Sequence, residues 1–349
     1  MVKKLKQLLL PFSFLYGRIM AVRNSLYDQQ VLHAQEFELP VIAVGNLTVG
    51  GTGKTPHVEY LLRLLRSYRV ATLSRGYKRS TKGFVLADGQ ASAATIGDEP
   101  FQYYQDFKRV TVAVCEDRVV GIKQLLEQGP KPEVILLDDA MQHRPVKPSL
   151  NLLITDFTRP FYHDYVMPTG LLREPRIGAK RADAVLVSKC PAHLSLEAQE
   201  QIRLLIRKYT HEQTPIFFTG YRYGEAISIG NSTALKKEII LLTGIANAAP
   251  LVAFLKDQGY TIRQHLAFPD HHHYTRQEVE RMQEILQQPI NRGSSLLTTR
   301  KDAVKLTSPE LSVLTKAMPL FYLPIEVEFL NEKEAFDKLV VQHVQSRLK

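Results

Sequence analysis

The chain has 349 residues, 44% of them hydrophobic, and 45 Lys and Arg against 35 Asp and Glu give it a formal charge of +10. Length and composition exclude a disordered or disulfide-stapled chain and point to two globular domains with buried cores; the two cysteines, Cys115 and Cys190, form no C-x-x-C pair, so a reducing compartment is the default. The positive charge fits nucleic acid, an anionic membrane or a phosphate-bearing substrate, but without an arginine-rich tail, zinc-knuckle spacing or a basic–aromatic RNA signature, nucleic acid is not the expected partner.

The N-terminal stretch MVKKLKQLLLPFSFLYGRIMAVRNSLYD carries Lys3, Lys4 and Lys6 ahead of Leu8, Leu9, Leu10, Phe12, Phe14, Leu15 and Ile19. Arg18 cuts the apolar run short of the roughly twenty residues that a spanning helix needs. Pro11 and Ser13 interrupt it, and no small-x-small site follows, which argues against a secretory signal. The expected element is a helix lying in the membrane interface, its Leu and Phe among acyl chains and its lysines on anionic lipid. An ordinary amphipathic helix packed on the domain fits the same letters. Residues 1–34 are therefore set apart as an N-terminal membrane-associated helical segment.

Residues 41–58, VIAVGNLTVGGTGKTPHV, run from an apolar strand into a glycine-rich loop and then a helix. Thr48, Val49, Gly50, Gly51, Thr52, Gly53, Lys54 and Thr55 form the expected phosphate cradle. Its backbone N–H groups wrap the phosphates, Lys54 adds charge, and the Thr55 hydroxyl is placed for Mg²⁺. The strict motif wants glycine where this chain has Thr48. Pro56 fits the first helical turn, where its missing N–H is no loss. The cradle implies ATP or GTP.

Apolar runs then recur at 70–73, 110–114, 134–137, 152–155, 184–187 and 216–219, as in a parallel sheet covered on both faces. SRGYKRS (74–80) leaves the first of them and places Arg75, Lys78 and Arg79 near the phosphate side. In ATIGDEP (94–100), Asp98 and Glu99 read alone as a solvated acidic loop, yet phosphoryl transfer needs a group to take the acceptor proton. VILLDDAMQHR (134–144) is an apolar strand running into Asp138 and Asp139, the form of a Walker B metal site of hard oxygen ligands. Arg173, Arg176, Lys180 and Arg181, within 167–189, fit either a grip on an anionic acceptor or a solvated basic loop.

A second, smaller α/β domain is expected from about Lys236, with further β-like runs at 296–299 and 321–329. FPDHHHYT (268–275) gathers Asp270, His271, His272 and His273 there. No second ligand cluster accompanies it, so a surface histidine run is the common reading and zinc the rarer one. An imidazole held by a carboxylate could tune a catalytic base. The fold expected overall is α/β: a P-loop NTPase-like, doubly wound, mainly parallel sheet over 35–235, with the smaller domain at 236–349 closing over the nucleotide cleft.

In order along the chain, GNLTVGGTGKTP, SRGY, GDEP, DDAMQHR, LLREP with RADAVLVSK, TGIAN and FPDHH resemble the tetraacyldisaccharide 4′-kinase family of lipid A synthesis. The resemblance implies transfer of the ATP γ-phosphate, with Mg²⁺, to the 4′-hydroxyl of an acylated glucosamine disaccharide 1-phosphate lipid, forming lipid IVA. It implies work at the cytoplasmic face of the bacterial inner membrane, on an anionic membrane surface, without an obligate protein partner. Carried over position by position, Lys54 and Thr55 are P-loop residues and Asp138 and Asp139 the Walker B pair. Asp98 is the base assisted by His271, and Glu99 a metal-site partner. Asn46, Arg75, Gln142, His143, Arg173 and Glu174 fall in substrate-site motifs. Ala140-Met141 and Asn247-Ala248-Ala249-Pro250 depart from the family's usual letters without removing polar groups. The rivals are a GTPase-type switch or membrane-recruited NTPase without a lipid acceptor, and a nucleic-acid-binding ATPase. Against the first, Ser188-Lys189-Cys190-Pro191 lacks the Asn and Asp of a guanine-specifying N-K-x-D.

Overall fold

In the computed structural model, which describes residues 2–270 and 272–348, the side chains of the first helix are described from residue 9 onward. Helix α1 (Val2–Asp28) precedes β1 (Val41–Gly45), α2 (Lys54–Leu64), β2 (Val70–Ser74) and β3 (Val85–Leu86). Then come α3 (Ala93–Ile96), α4 (Asp98–Asp106), β4 (Thr111–Val114), α5 (Arg118–Glu127), β5 (Val134–Asp138) and β6 (Leu150–Asp156). The chain continues through β7 (Ala184–Ser188), α6 (Leu196–Arg207), β8 (Ile216–Tyr223), β9 (Ile227–Ser228), β10 (Glu238–Thr243), α7 (Ala249–Asp257) and β11 (Thr261–Ala267). It ends with α8 (Arg276–Gln287), β12 (Ser295–Thr299), α9 (Arg300–Leu306), α10 (Ser312–Lys316), β13 (Leu320–Leu323), β14 (Ile325–Phe329) and α11 (Lys333–Leu348).

Two compact units emerge. The first comprises Met1–Gly89, Tyr103–Tyr221 and Val327–Lys349, and the second Gln90–Gln102 and Arg222–Glu326. The first is built on the sheet ordered β14-β8-β7-β6-β1-β5-β2-β4-β3. β1 lies between β5 and β6, parallel to both, with Val41 opposite Ile135 and Ile42 opposite Leu150. The central strands β1, β5, β6 and β7 are buried end to end, as strands covered on both faces are, and their letters are mostly apolar. α2 follows from its letters: Val58, Leu61 and Leu62, all at most 2% exposed, form the stripe that faces the sheet.

The second unit carries its own sheet, ordered β11-β10-β12-β13-β9, parallel except for β9. This partition differs from the expected 35–235 and 236–349. Residues 90–102 group with the second unit, and 327–349 with the first. α11 returns because Phe336 is buried against Phe217 and Phe329, with ring centroids 5.2 and 5.0 Å away. The run 321–329, expected as one strand, is two: β13 and β14 join different sheets across Pro324, which has no N–H to continue a ladder.

α1 contributes its inner stripe to the first unit. The Ser13 hydroxyl donates to Thr169 Oγ1 at 2.6 Å, the Tyr16 hydroxyl to the Arg173 carbonyl at 3.1 Å, and Asn24 Nδ2 to Glu174 Oε2 at 2.6 Å. Positions 13, 16 and 24, spaced by three and eight residues, fall on one helical face. The other face exposes Phe12, Phe14, Leu15, Ile19 and Val22, each 57–65% accessible. Among the described residues no helix is long and apolar enough to cross a membrane. The lysines at 3, 4 and 6 lie where side chains are not described.

Candidate functional site

β1 ends at Gly45 and α2 begins at Lys54, so the glycine-rich loop opens at the carboxyl end of the central parallel strands, where such sheets bind ligands. Gly50 (φ 103°) and Gly53 (φ 88°) adopt left-handed backbone that favours glycine, and a Cβ on Gly53 would also strike the Tyr221 hydroxyl. Thr48 needs no such freedom. It sits in a short bridge to Leu172, with Val49 N–H donating to Leu171 O at 2.8 Å and Arg173 N–H to Leu47 O at 2.7 Å. The loop is thus stapled to 171–173, which explains the tolerated departure from the strict motif.

Asn46 is fully buried, and its Nδ2 donates to Thr52 Oγ1 at 2.7 Å. The structure therefore places it as a brace of the loop rather than on a substrate-facing surface. Gln142 Nε2 donates to the Asn46 carbonyl at 2.8 Å and to Glu174 Oε1 at 2.9 Å. Glu174, 1% exposed, also receives Asn24 and, at 2.7 Å, Arg181. Buried and saturated, it is the knot that ties α1 to the loops around the site.

The two acidic residues after β5 differ. Asp138 is 2% exposed, and the Tyr103 hydroxyl donates to its Oδ2 at 3.0 Å. Asp139, in left-handed backbone (φ 52°), accepts from Arg173 Nη1 at 2.9 and 3.0 Å and lies 3.5 Å from Lys54 Nζ. Burial pushes its carboxyl up, but Lys54 and Arg173 outweigh that and hold it below the usual range. Lys54, Asp139 and Arg173 therefore form one cluster, an arrangement in which Arg173 meets the carboxylate rather than standing apart in a basic loop. Thr55 opens α2 beside Lys54.

The donor set fits Mg²⁺ in chemistry: a threonine hydroxyl and carboxylates are hard oxygen ligands. Among the described residues no group of three or more His, Cys, Asp or Glu makes a closed metal cage. A nucleotide-bound Mg²⁺ needs none, since phosphates and water complete its shell.

Arg118 escaped the reading of the letters. It opens α5 under the Asp117 cap, is 4% exposed, and faces the charges of Asp139 and Asp138. The one available signal was its place just past a strand end, at the same edge of the sheet as the loop. Its backbone N–H donates to His143 Nε2 at 3.2 Å. Burial, and then the Arg118 charge, lower the His143 pKa to about 4, so this imidazole is neutral. Arg75 is exposed beyond β2, close enough to add to the positive field on both. Of the other basic residues, Arg176 donates to the Asp164 carbonyl and Arg181 to Glu174, both structural uses.

In the second unit, Asp98 and Glu99 form the first turn of α4. Asp98 Oδ2 lies 3.3 Å from Lys305 Nζ, the side chains 11% and 4% exposed, a partner not anticipated from sequence. His271 lies outside the described residues. Asp270 pairs with Lys301 at 2.9 Å, and His272 Nε2 is hydrogen-bonded to Glu278 Oε1 at 3.0 Å, so both make local contacts.

Residues 5–345 match the model of the LpxK family, described as tetraacyldisaccharide-1-P 4′-kinase. A Flavobacterium johnsoniae protein named tetraacyldisaccharide 4′-kinase is 46% identical over 99% of this chain and 98% of its own. A protein of the same name from Parabacteroides distasonis is 40% identical over 99% and 96%. The crystal structure of LpxK from Aquifex aeolicus in complex with ATP superposes with a TM-score of 0.78 at 32% identity, covering 97% of this chain and 99% of that one.

Proposed function

Because the chain belongs to the tetraacyldisaccharide-1-P 4′-kinase family, we propose that it transfers the γ-phosphate of ATP to the 4′-hydroxyl of a tetraacylated glucosamine disaccharide 1-phosphate, forming lipid IVA for lipid A synthesis. The observation that carries this reading is the glycine-rich loop at the strand ends, with Lys54, Asp139 and Arg173 joined beside it. Phosphoryl transfer asks for positioning and charge neutralisation more than for covalent chemistry, and this cluster supplies both.

Lys54 would meet the outer phosphates, giving up its 3.5 Å contact with Asp139 as they arrive. Thr55, Asp138 and Asp139 would hold Mg²⁺, which supplies neutralisation of phosphate charge when bound. Asp98 is the group assigned to take the hydroxyl proton, and its carboxylate lies 3.3 Å from Lys305 Nζ. His271 and Glu99 remain assigned by resemblance, as base assistant and metal-site partner.

An acceptor with four acyl chains stays in the bilayer, so the enzyme must work at the membrane surface. The outward stripe of α1 supports this: Phe12, Phe14, Leu15 and Ile19 offer an apolar face, and the chain carries net positive charge for anionic lipid. The cytoplasmic face of the bacterial inner membrane, where ATP is at hand, is the proposed location. Incubating the protein with γ-labelled ATP and detergent-dispersed disaccharide 1-phosphate should move label to the lipid. Release of label as inorganic phosphate alone would overturn the lipid-kinase reading in favour of an NTPase.

A further inference from the structure

The glycine-rich loop has an outer side that the motif does not describe. Each carbonyl from residue 49 to 53 has a donor. Arg159 Nη2 donates to Val49 O at 3.1 Å, and Thr52 N–H to Gly50 O at 3.0 Å. Lys189 Nζ donates to Gly51 O, Ser188 Oγ to Thr52 O at 2.7 Å, and His57 Nδ1 to Gly53 O at 2.7 Å.

A peptide unit is planar, with its C=O and N–H pointing in opposite directions. Holding a carbonyl outward therefore turns the following N–H inward, and a carbonyl left to swing inward would meet phosphate oxygens with like charge. The three tethers are themselves fixed. Ser188 is fully buried at the end of β7; Lys189, in left-handed backbone (φ 58°), also pairs with buried Asp156 at 2.6 Å. His57 is 3% exposed, and its Nε2 faces the Thr219 hydroxyl of β8 at 3.0 Å.

We propose that Ser188 and His57 are positioning residues that hold the carbonyls of Thr52 and Gly53 away from the triphosphate and so aim the N–H groups of Gly53 and Lys54 at it, while Lys189 fixes the carbonyl of Gly51, whose following N–H is already bonded to Gly50 O. The proposal rests on the reading that this loop binds ATP.

Three full-length variants test it: Ser188→Ala removes one tether with little change of shape; His57→Phe keeps a ring but no donor; His57→Asn keeps a donor near the Nδ1 position. The dissociation constant for ATP and the KM values for ATP and lipid are measured for each, beside Tm. A neutral hydrogen bond lost at this position predicts that Ser188→Ala and His57→Phe bind ATP about three- to tenfold more weakly. KM for ATP should rise in step, with KM for lipid unchanged and His57→Asn restored to within about twofold of the parent.

Equal ATP affinity for His57→Phe and His57→Asn, or variants that lose Tm but not ATP affinity, would overturn the proposal. If His57→Phe does not fold, Ser188→Ala decides alone, and parental affinity counts against the tethers. The parent chain separates the two readings. Failure of the parent to bind ATP removes the kinase assignment, whereas a parent that binds with variants that match it removes only the tethers.

Discussion

Lys54 stands 3.5 Å from Asp139, and Arg173 bonds the same carboxylate, so the ammonium that a triphosphate needs is held at the loop by its own electrostatics. Preorganised charge of this kind contributes on the order of 10²–10³ in turnover. Lys54→Ala should therefore lower kcat by on the order of 10²–10³ in the label-transfer assay, with the fold intact by circular dichroism. His143 gives a second expectation with a defined sign. Its folded pKa, about 4, lies below the ordinary 6.5, so the unfolded chain binds the extra proton between those values. The stability that follows is present above pH 6.5 and is lost as pH falls toward 4, by up to about 3 kcal/mol. His143→Gln should flatten the fall of Tm across that window relative to the parent, and parallel curves would refute the assignment. Lys54, Thr55 and the Asp138–Asp139 pair were legible because each motif is contiguous. Arg118 and Lys305 were not, because their partners lie about twenty and about two hundred residues away, and His57 was not, because a single letter inside a helix carries no trace of which carbonyl its ring reaches.

Strands announce themselves wherever both faces are buried. β1, β5, β6 and β7 each hold an apolar run of three or more residues, and each run was visible in the letters. β11 was not, because most of its residues face solvent and TIRQHLA shows no apolar continuity. The β13–β14 run misled for the opposite reason. Its letters are apolar on both sides of Pro324, while the missing N–H divides it between sheets. α1 carried a double reading, membrane helix or packed helix, and its two faces explain why. The inner stripe buries Ser13 and Asn24, and the outer exposes aromatic and aliphatic side chains. The inner stripe has its own consequence. Glu174 is a buried carboxylate, and Asn24 is one of its three partners. Asn24→Ala should cost about 1–3 kcal/mol, because part of a buried charge is left unsatisfied. Thermal unfolding at neutral pH measures it, and an unchanged Tm would show that Gln142 and Arg181 suffice.

Considered as one chain, the formal charge of +10 and the outward stripe of α1 make a joint prediction that neither makes alone. Apolar insertion sets most of the affinity for a bilayer, and cationic attraction adds a salt-dependent part. Deleting α1 would be a poor test, because it would also strip the bonds to Thr169, Arg173 and Glu174. Substituting only the exposed face avoids this. Phe12, Leu15 and Ile19 are 57–63% exposed, so the triple change to Ser should leave Tm within about a degree of the parent, since almost no buried contact is lost. About 1 kcal/mol of apolar transfer per side chain, lost three times, should lower partition into vesicles of mixed neutral and anionic lipid roughly a hundredfold. Sedimentation with those vesicles reads the partition, and raising the salt should weaken the parent's binding further when the vesicles are anionic. A triple variant that sediments like the parent would separate the enzyme's membrane attachment from α1 and place it elsewhere on the basic surface.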